Sequence, residues 1–81
     1  LNELRQIPLE PDELEALRLA DMLGLTQVQG AQEMGISQST FQRIIANARR
    51  QVALALVEGA ALELIGATRN RRSGRRYNGK S

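Results

Sequence analysis

An all-α domain is the fold class this sequence predicts, and three observations predict it. Apolar residues recur at spacings of three and four from Phe41 through Ile44, Ile45, Ala48 and Val52 to Ala55 or Leu56, the period of a helix packed along one side. Two start signals precede that run. Thr26 is followed three residues later by Gln29, and Ser37 comes directly after Ile36; hydroxyl oxygens at such positions accept from the free N–H groups of a helix start. Gly24, Gly35 and Gly59 stand where each helix should stop. Two helices joined by a tight glycine turn make a helix-turn-helix.

The elements follow in order. Leu1 to Glu10 shows no helical period, and Pro8 and Pro11 hold their neighbours extended. Arg5 to Leu9 reads as a short edge strand. Pro11 suits the first turn of a helix, where its missing N–H is no loss. Asp12, Glu13 and Glu15 then complement the positive helix start. Leu14, Leu17, Ala20 and Leu23, with Ala16 and Leu19 beside them, form a broad apolar face, so the first helix is expected over Pro11–Leu23. The second is short and starts after Thr26, with Val28, Ala31 and Met34 turned inward. The third runs from Ser37 to about Val57 and is the longest. Ala61 to Ile65 reads as a second short strand that could pair with the first. The expected domain is residues 1–66, followed by a disordered basic tail over 67–81.

Composition removes several functions. The 81 residues contain no Cys and no His, which takes away disulfides, common zinc sites and imidazole chemistry. A chain this small also leaves little room for a pocket, so neither enzyme activity nor a cofactor is expected. No apolar run reaches the 18 or so residues of a membrane span and no signal peptide is evident, so the expected location is the cytoplasm. Because the sequence begins at Leu1 rather than Met, a trimmed chain is expected. The charge is unevenly divided. Through Gly66, five arginines face all nine acids, a net of −4, whereas the tail carries Arg69, Arg71, Arg72, Arg75, Arg76 and Lys80 with no acid, a net of +6. Such a tail suits either a polyanionic partner or a solvated end.

The helix-turn-helix makes demands that the residues meet. Ala31 supplies a small side chain at the crossing, Gly35 supplies positive φ, and Ile36 plugs the gap after the turn. Gly30 departs, costing about 1 kcal/mol relative to Ala in a helix, though it leaves room for close approach. The outer face of the third helix is polar throughout. Gln and Asn can bond adenine's N6 and N7 edge and Arg can bond guanine's O6 and N7. Gln38, Ser39, Gln42 and Arg43, near the helix start, are therefore expected at base edges or adjoining phosphates. Asn47, Arg49 and Arg50 belong to the same face, the two arginines at the DNA backbone. Ser37 is accounted for by capping, and Thr40 either touches phosphate or packs. The implied partner is double-stranded DNA. Apolar residues on more than one face of Val52–Val57 imply a homodimer as well. Two other functions fit parts of the sequence. The acidic core could dock on the transcription machinery, and the Arg-rich tail, with Tyr77, could bind RNA.

Asp12 to Asp21 (DELEALRLAD), Met34 to Ile44 (MGISQSTFQRI), Ala48-Arg49-Arg50 and Ala53 to Val57 together resemble a prokaryotic family known as domain of unknown function 134, whose members are described as predicted DNA-binding proteins. The likeness covers roughly Leu4 to Gly66. The helical unit is also similar to region 4 of sigma-70-type factors. The resemblance implies a sigma-region-4-like or winged-helix-like domain and a role in transcription regulation. It puts Gln38, Ser39, Thr40, Gln42 and Arg43 on the part of the motif that meets DNA. It also implies a segment ahead of Leu1. Gly30 stands where the family tends to have alanine, and the basic tail lies beyond the likeness.

Overall fold

A computed structural model of the chain describes residues 5–66. Strand β1 (Gln6–Leu9) comes first, with Ile7 and Leu9 buried and Gln6 and Pro8 exposed, the alternation of a strand with one face inward. It pairs in parallel with β2 (Ala61–Leu64), in the register Gln6 to Ala61 and Leu9 to Leu64. The Ala61 N–H donates to the Arg5 carbonyl at 2.9 Å and the Ile65 N–H to that of Leu9 at 3.0 Å. A parallel pair needs a long crossover, and here the helical unit supplies it. The expected basic tail and Leu1 to Leu4 lie outside the described residues.

Helix α1 (Pro11–Leu17) opens on Pro11, and the Glu13 carboxylate reaches back to accept the Glu10 N–H at 2.9 Å. The expected single helix to Leu23 is reached by another route. From Arg18 to Met22 the backbone widens into a π turn, in which the Leu23 N–H donates to the Arg18 carbonyl at 2.9 Å, five residues back. The wider turn keeps Leu19 buried but carries Met22 and Leu23 outward, so Leu23 does not join the apolar face expected of it.

Helix α2 (Gln27–Met34) has a reciprocal capping box: Thr26 Oγ1 accepts the Gln29 N–H at 3.1 Å, and the Gln29 side chain accepts the Thr26 N–H at 2.9 Å. Its buried stripe is narrow, only Gly30 and Ala31. Val28, expected inside, is exposed because a two-turn helix meets its neighbour along one line. Gly35 closes the helix at φ 70°. Ser37 Oγ then accepts the Thr40 N–H at 3.1 Å and starts helix α3 (Gln38–Glu58).

The core is Ala16, Leu19, Ala31, Phe41 and Ile45, with Leu17, Ala20, Leu25, Met34, Ile36 and Ile44 packed against it. Phe41 is fully buried and its ring lies on Gly30. A Cβ built there would stand 2.5 Å from Cζ and 2.8 Å from Cε1. Gly30 is therefore the residue that admits the aromatic anchor of α3. Overpacking costs about 1–3 kcal/mol, which exceeds the roughly 1 kcal/mol that alanine gains in helix propensity. Gly30→Ala should thus lower the melting temperature, and a thermal melt followed by circular dichroism checks the sign. Among the described residues no helix is long and apolar enough to cross a membrane, and no cluster of acids could hold a metal ion.

Candidate nucleic-acid interface

Helix α3 is anchored on one side by Phe41, Ile45, Ala48 and Ala55, all buried. With 3.6 residues per turn, the opposite side carries Ser39, Arg43, Ala46 and Arg50 along one line, and all four are exposed. Arg43 and Arg50 have no ion-pair or hydrogen-bond partner among the described residues. No acid occurs from Ser37 to Gln51. The line is therefore a positive edge on a rigid helix, although the chain through Gly66 is acidic. Ala46, absent from the sequence expectation, lies between the two arginines and lets a flat surface approach the helix closely.

The expected site residues divide by their partners. Gln38 and Ser39 are exposed at the helix start. Ser37 Oγ, besides its capping bond, donates to Thr40 Oγ1 at 2.9 Å and lies 3.3 Å from Ser39 Oγ, so the hydroxyls form a local cluster. Gln42 Nε2 donates to Gln27 Oε1 of α2 at 2.8 Å. That bond uses one of four hydrogen-bonding positions on the amide and leaves an N–H and the carbonyl oxygen, the pair that matches adenine's N7 and N6.

Asn47 and Arg49 turn to the flanks instead. Asn47 Nδ2 donates to Glu13 Oε2, on the same carboxylate that holds the start of α1. Glu13 is the one buried charged residue among those described. Arg49 forms a two-point pair with Asp21 of the π turn, Nε to Oδ2 at 3.1 Å and a terminal nitrogen to Oδ1 at 2.7 Å. On the Asn47 side, Gln51 Nε2 donates to the Pro8 carbonyl at 3.0 Å. These contacts span 28 to 43 residues of sequence, and no local spacing announces them. Between the start of α1 and α3 a shallow cleft of about 420 Å³ is bounded by Asp12, Arg43, Ala46, Asn47 and Arg50.

Hydrogen bonds from Arg49, aided by its charge and opposed by partial burial, hold the Asp21 carboxyl below its ordinary value of 3.8. A lowered carboxyl pKa contributes stability above the unfolded value and loses it as pH falls through the folded one. The stability of the native chain should therefore fall more steeply below about pH 4 than that of Arg49→Ala, by no more than an exposed pair's ~1 kcal/mol. Melts between neutral and strongly acidic pH measure the difference.

Residues 2–72 match the family described as "Protein of unknown function DUF134". The chain belongs to this family. Among DUF134 relatives, a UPF0251 protein of Vibrio vulnificus (strain CMCP6) is 59% identical over 63 residues, 78% of this chain and 63% of the relative. A UPF0251 protein of Rhodospirillum rubrum is 52% identical over 66 residues, 82% of this chain and 46% of the relative. One from Clostridium botulinum (strain Hall) is 48% identical over 64 residues, 79% of this chain and 41% of the relative. The chain thus spans between two-fifths and two-thirds of the length of these DUF134 proteins. No solved structure matches it significantly.

Proposed function

We propose that the chain binds double-stranded DNA sequence-specifically, as a transcription regulator, by laying the first half of α3 in the major groove. The observation that carries this reading is the exposed Ser39–Arg43–Ala46–Arg50 line, with Gln38 and Gln42 beside it, on a helix whose other side is fixed in the core. Helix α2 braces it through the Phe41–Gly30 contact and the Gln42–Gln27 bond. In the proposed complex the arginines meet phosphate or guanine and the glutamines meet base edges. Selection from a random duplex library tests it. A common enriched sequence is expected, and recovery of unenriched sequence alone would reject the reading. Such a regulator would work in the cytoplasm.

The reading extends to a homodimer. Leu56 and Val57, at the end of α3, are 78% and 84% exposed, and Leu62 and Leu64 of β2 are also open. Two copies joined there would present two helices to half-sites about one turn of DNA, roughly 34 Å, apart. Analytical ultracentrifugation should then find a species of twice the 8.9 kDa chain mass; a monomer alone at micromolar concentration rejects the pairing.

A second reading, docking on the transcription machinery, is favoured by the acidic balance through Gly66 and by the apolar surface that Leu14, Leu17 and Met22 form beside Arg18 and Asp21. Competition between duplex DNA and RNA polymerase for the chain separates the two. The proposed RNA contact through the tail falls outside the described residues.

A further inference from the structure

Arg43, Asn47, Arg49 and Arg50 are all exposed on α3, but of these only Asn47 and Arg49 are bonded to another element. We propose that Arg43 and Arg50 make the phosphate contacts, whereas Asn47 and Arg49 are positioning residues that set the angle at which α3 is presented; this rests on the DNA reading above. Arg49 and Asn47 lie two residues apart, on opposite flanks of the exposed line, about 3 Å apart along the helix axis. Their partners, Asp21 and Glu13, lie eight residues apart near the two ends of the α1 and π-turn segment, about 12 Å at helical rise. Two contacts that diverge in this way restrain both the roll of α3 about its own axis and its crossing with α1. They add to the packing of Phe41, Ile45, Ala48 and Ala55, which anchors the other side of α3.

The pairing geometry supports the division. Arg49 meets both oxygens of Asp21, at 3.1 and 2.7 Å, the fork geometry that a guanidinium makes and an ammonium does not. Asn47 bonds a carboxylate that is itself tied to the Glu10 N–H, so any shift of Asn47 would strain the start of α1. Arg43 and Arg50 have no such partner among the described residues and stand seven residues apart on the same line, about 10 Å along the axis.

The two roles differ in the sign of one measurable effect. Asp21 is an acid beside the proposed DNA face. If it merely repelled phosphate or competed for Arg49, Asp21→Ala would tighten binding. If it holds Arg49 for positioning, Asp21→Ala weakens binding as Arg49→Ala does.

The test is binding of a short mixed-sequence DNA duplex across a salt series. Arg43→Ala and Arg50→Ala should each reduce the log–log salt slope by about 1. Arg49→Ala, Asn47→Ala and Asp21→Ala should each weaken binding about two- to fivefold at every salt concentration with the slope unchanged, the size expected of an exposed pair. Asp21→Ala combined with Arg49→Ala should be no weaker than either alone. Arg49→Lys keeps the charge but loses the fork, so it should behave as Arg49→Ala does. A reduced slope for Arg49→Ala, tighter binding by Asp21→Ala, or wild-type behaviour of Arg49→Lys overturns the assignment. Absence of duplex binding by the unmodified chain instead overturns the DNA reading on which it rests.

Discussion

Phe41→Ala is expected to remove about 3–5 kcal/mol of folding stability, the usual cost of emptying a buried phenylalanine site. For a domain this small the loss approaches the entire margin, since folded proteins are stable by only about 5–15 kcal/mol and small ones lie at the lower end. The ring is completely shielded and joins α2 to α3 through Gly30, so no neighbour can close over the space without moving one helix against the other. Urea titration followed by circular dichroism should show the transition shifted close to zero denaturant. A loss below about 1.5 kcal/mol would mean that Ile45, Leu19 and Ala31 hold the two helices together without it.

Arg43→Ala should weaken binding to a selected duplex and to unrelated duplex alike, with the log–log salt slope reduced by about 1 and the sequence preference unchanged. The side chain is exposed within the first two turns of α3 and has no partner among the described residues, so its charge is open to the DNA backbone. Stability should change little, because the residue packs against nothing that must be refilled. Equal binding of wild type and variant to the selected sequence, with both melting alike, would remove Arg43 from the interface. Gln42→Ala should instead cost about 1–3 kcal/mol and relax the preference at one base pair, and Gln27→Ala should share part of that by releasing the Gln42 amide.

Much of this architecture was legible in the sequence because it is specified locally. Thr26 with Gln29, Ser37 at the start of α3, and the glycines that end α2 and α3 all act within four residues, and the structure has each in the expected role. The strand pairing was also readable from two short extended stretches. Its parallel sense was not, since direction depends on how the intervening helices return the chain. The π turn at Arg18–Met22 escaped for a similar reason: its single added residue changes no local composition, only the face on which Leu23 ends. Gly30 read as a weakness while seen inside α2, and became a requirement only when Phe41 was placed over it.

The candidate site divides in the same way. Exposure of Gln38, Gln42, Arg43 and Arg50 follows from the helical period alone. The attachments of Asn47 to Glu13 and of Arg49 to Asp21 depend on where α1 lies, and their sequence separations of 34 and 28 residues leave no trace in spacing. Ala46 was overlooked because a small apolar residue on a polar face draws no notice by residue type.

Because β1 and β2 run side by side in the same direction, the chain passes into the domain at one end of the ribbon and leaves at the other. Arg5 and Gly66 therefore lie at opposite ends of the ribbon, with a turn at Ile65–Gly66 after β2. Joining these two points to make a circular variant would need a linker running back along the ribbon, four or more extended residues at about 3.3 Å each.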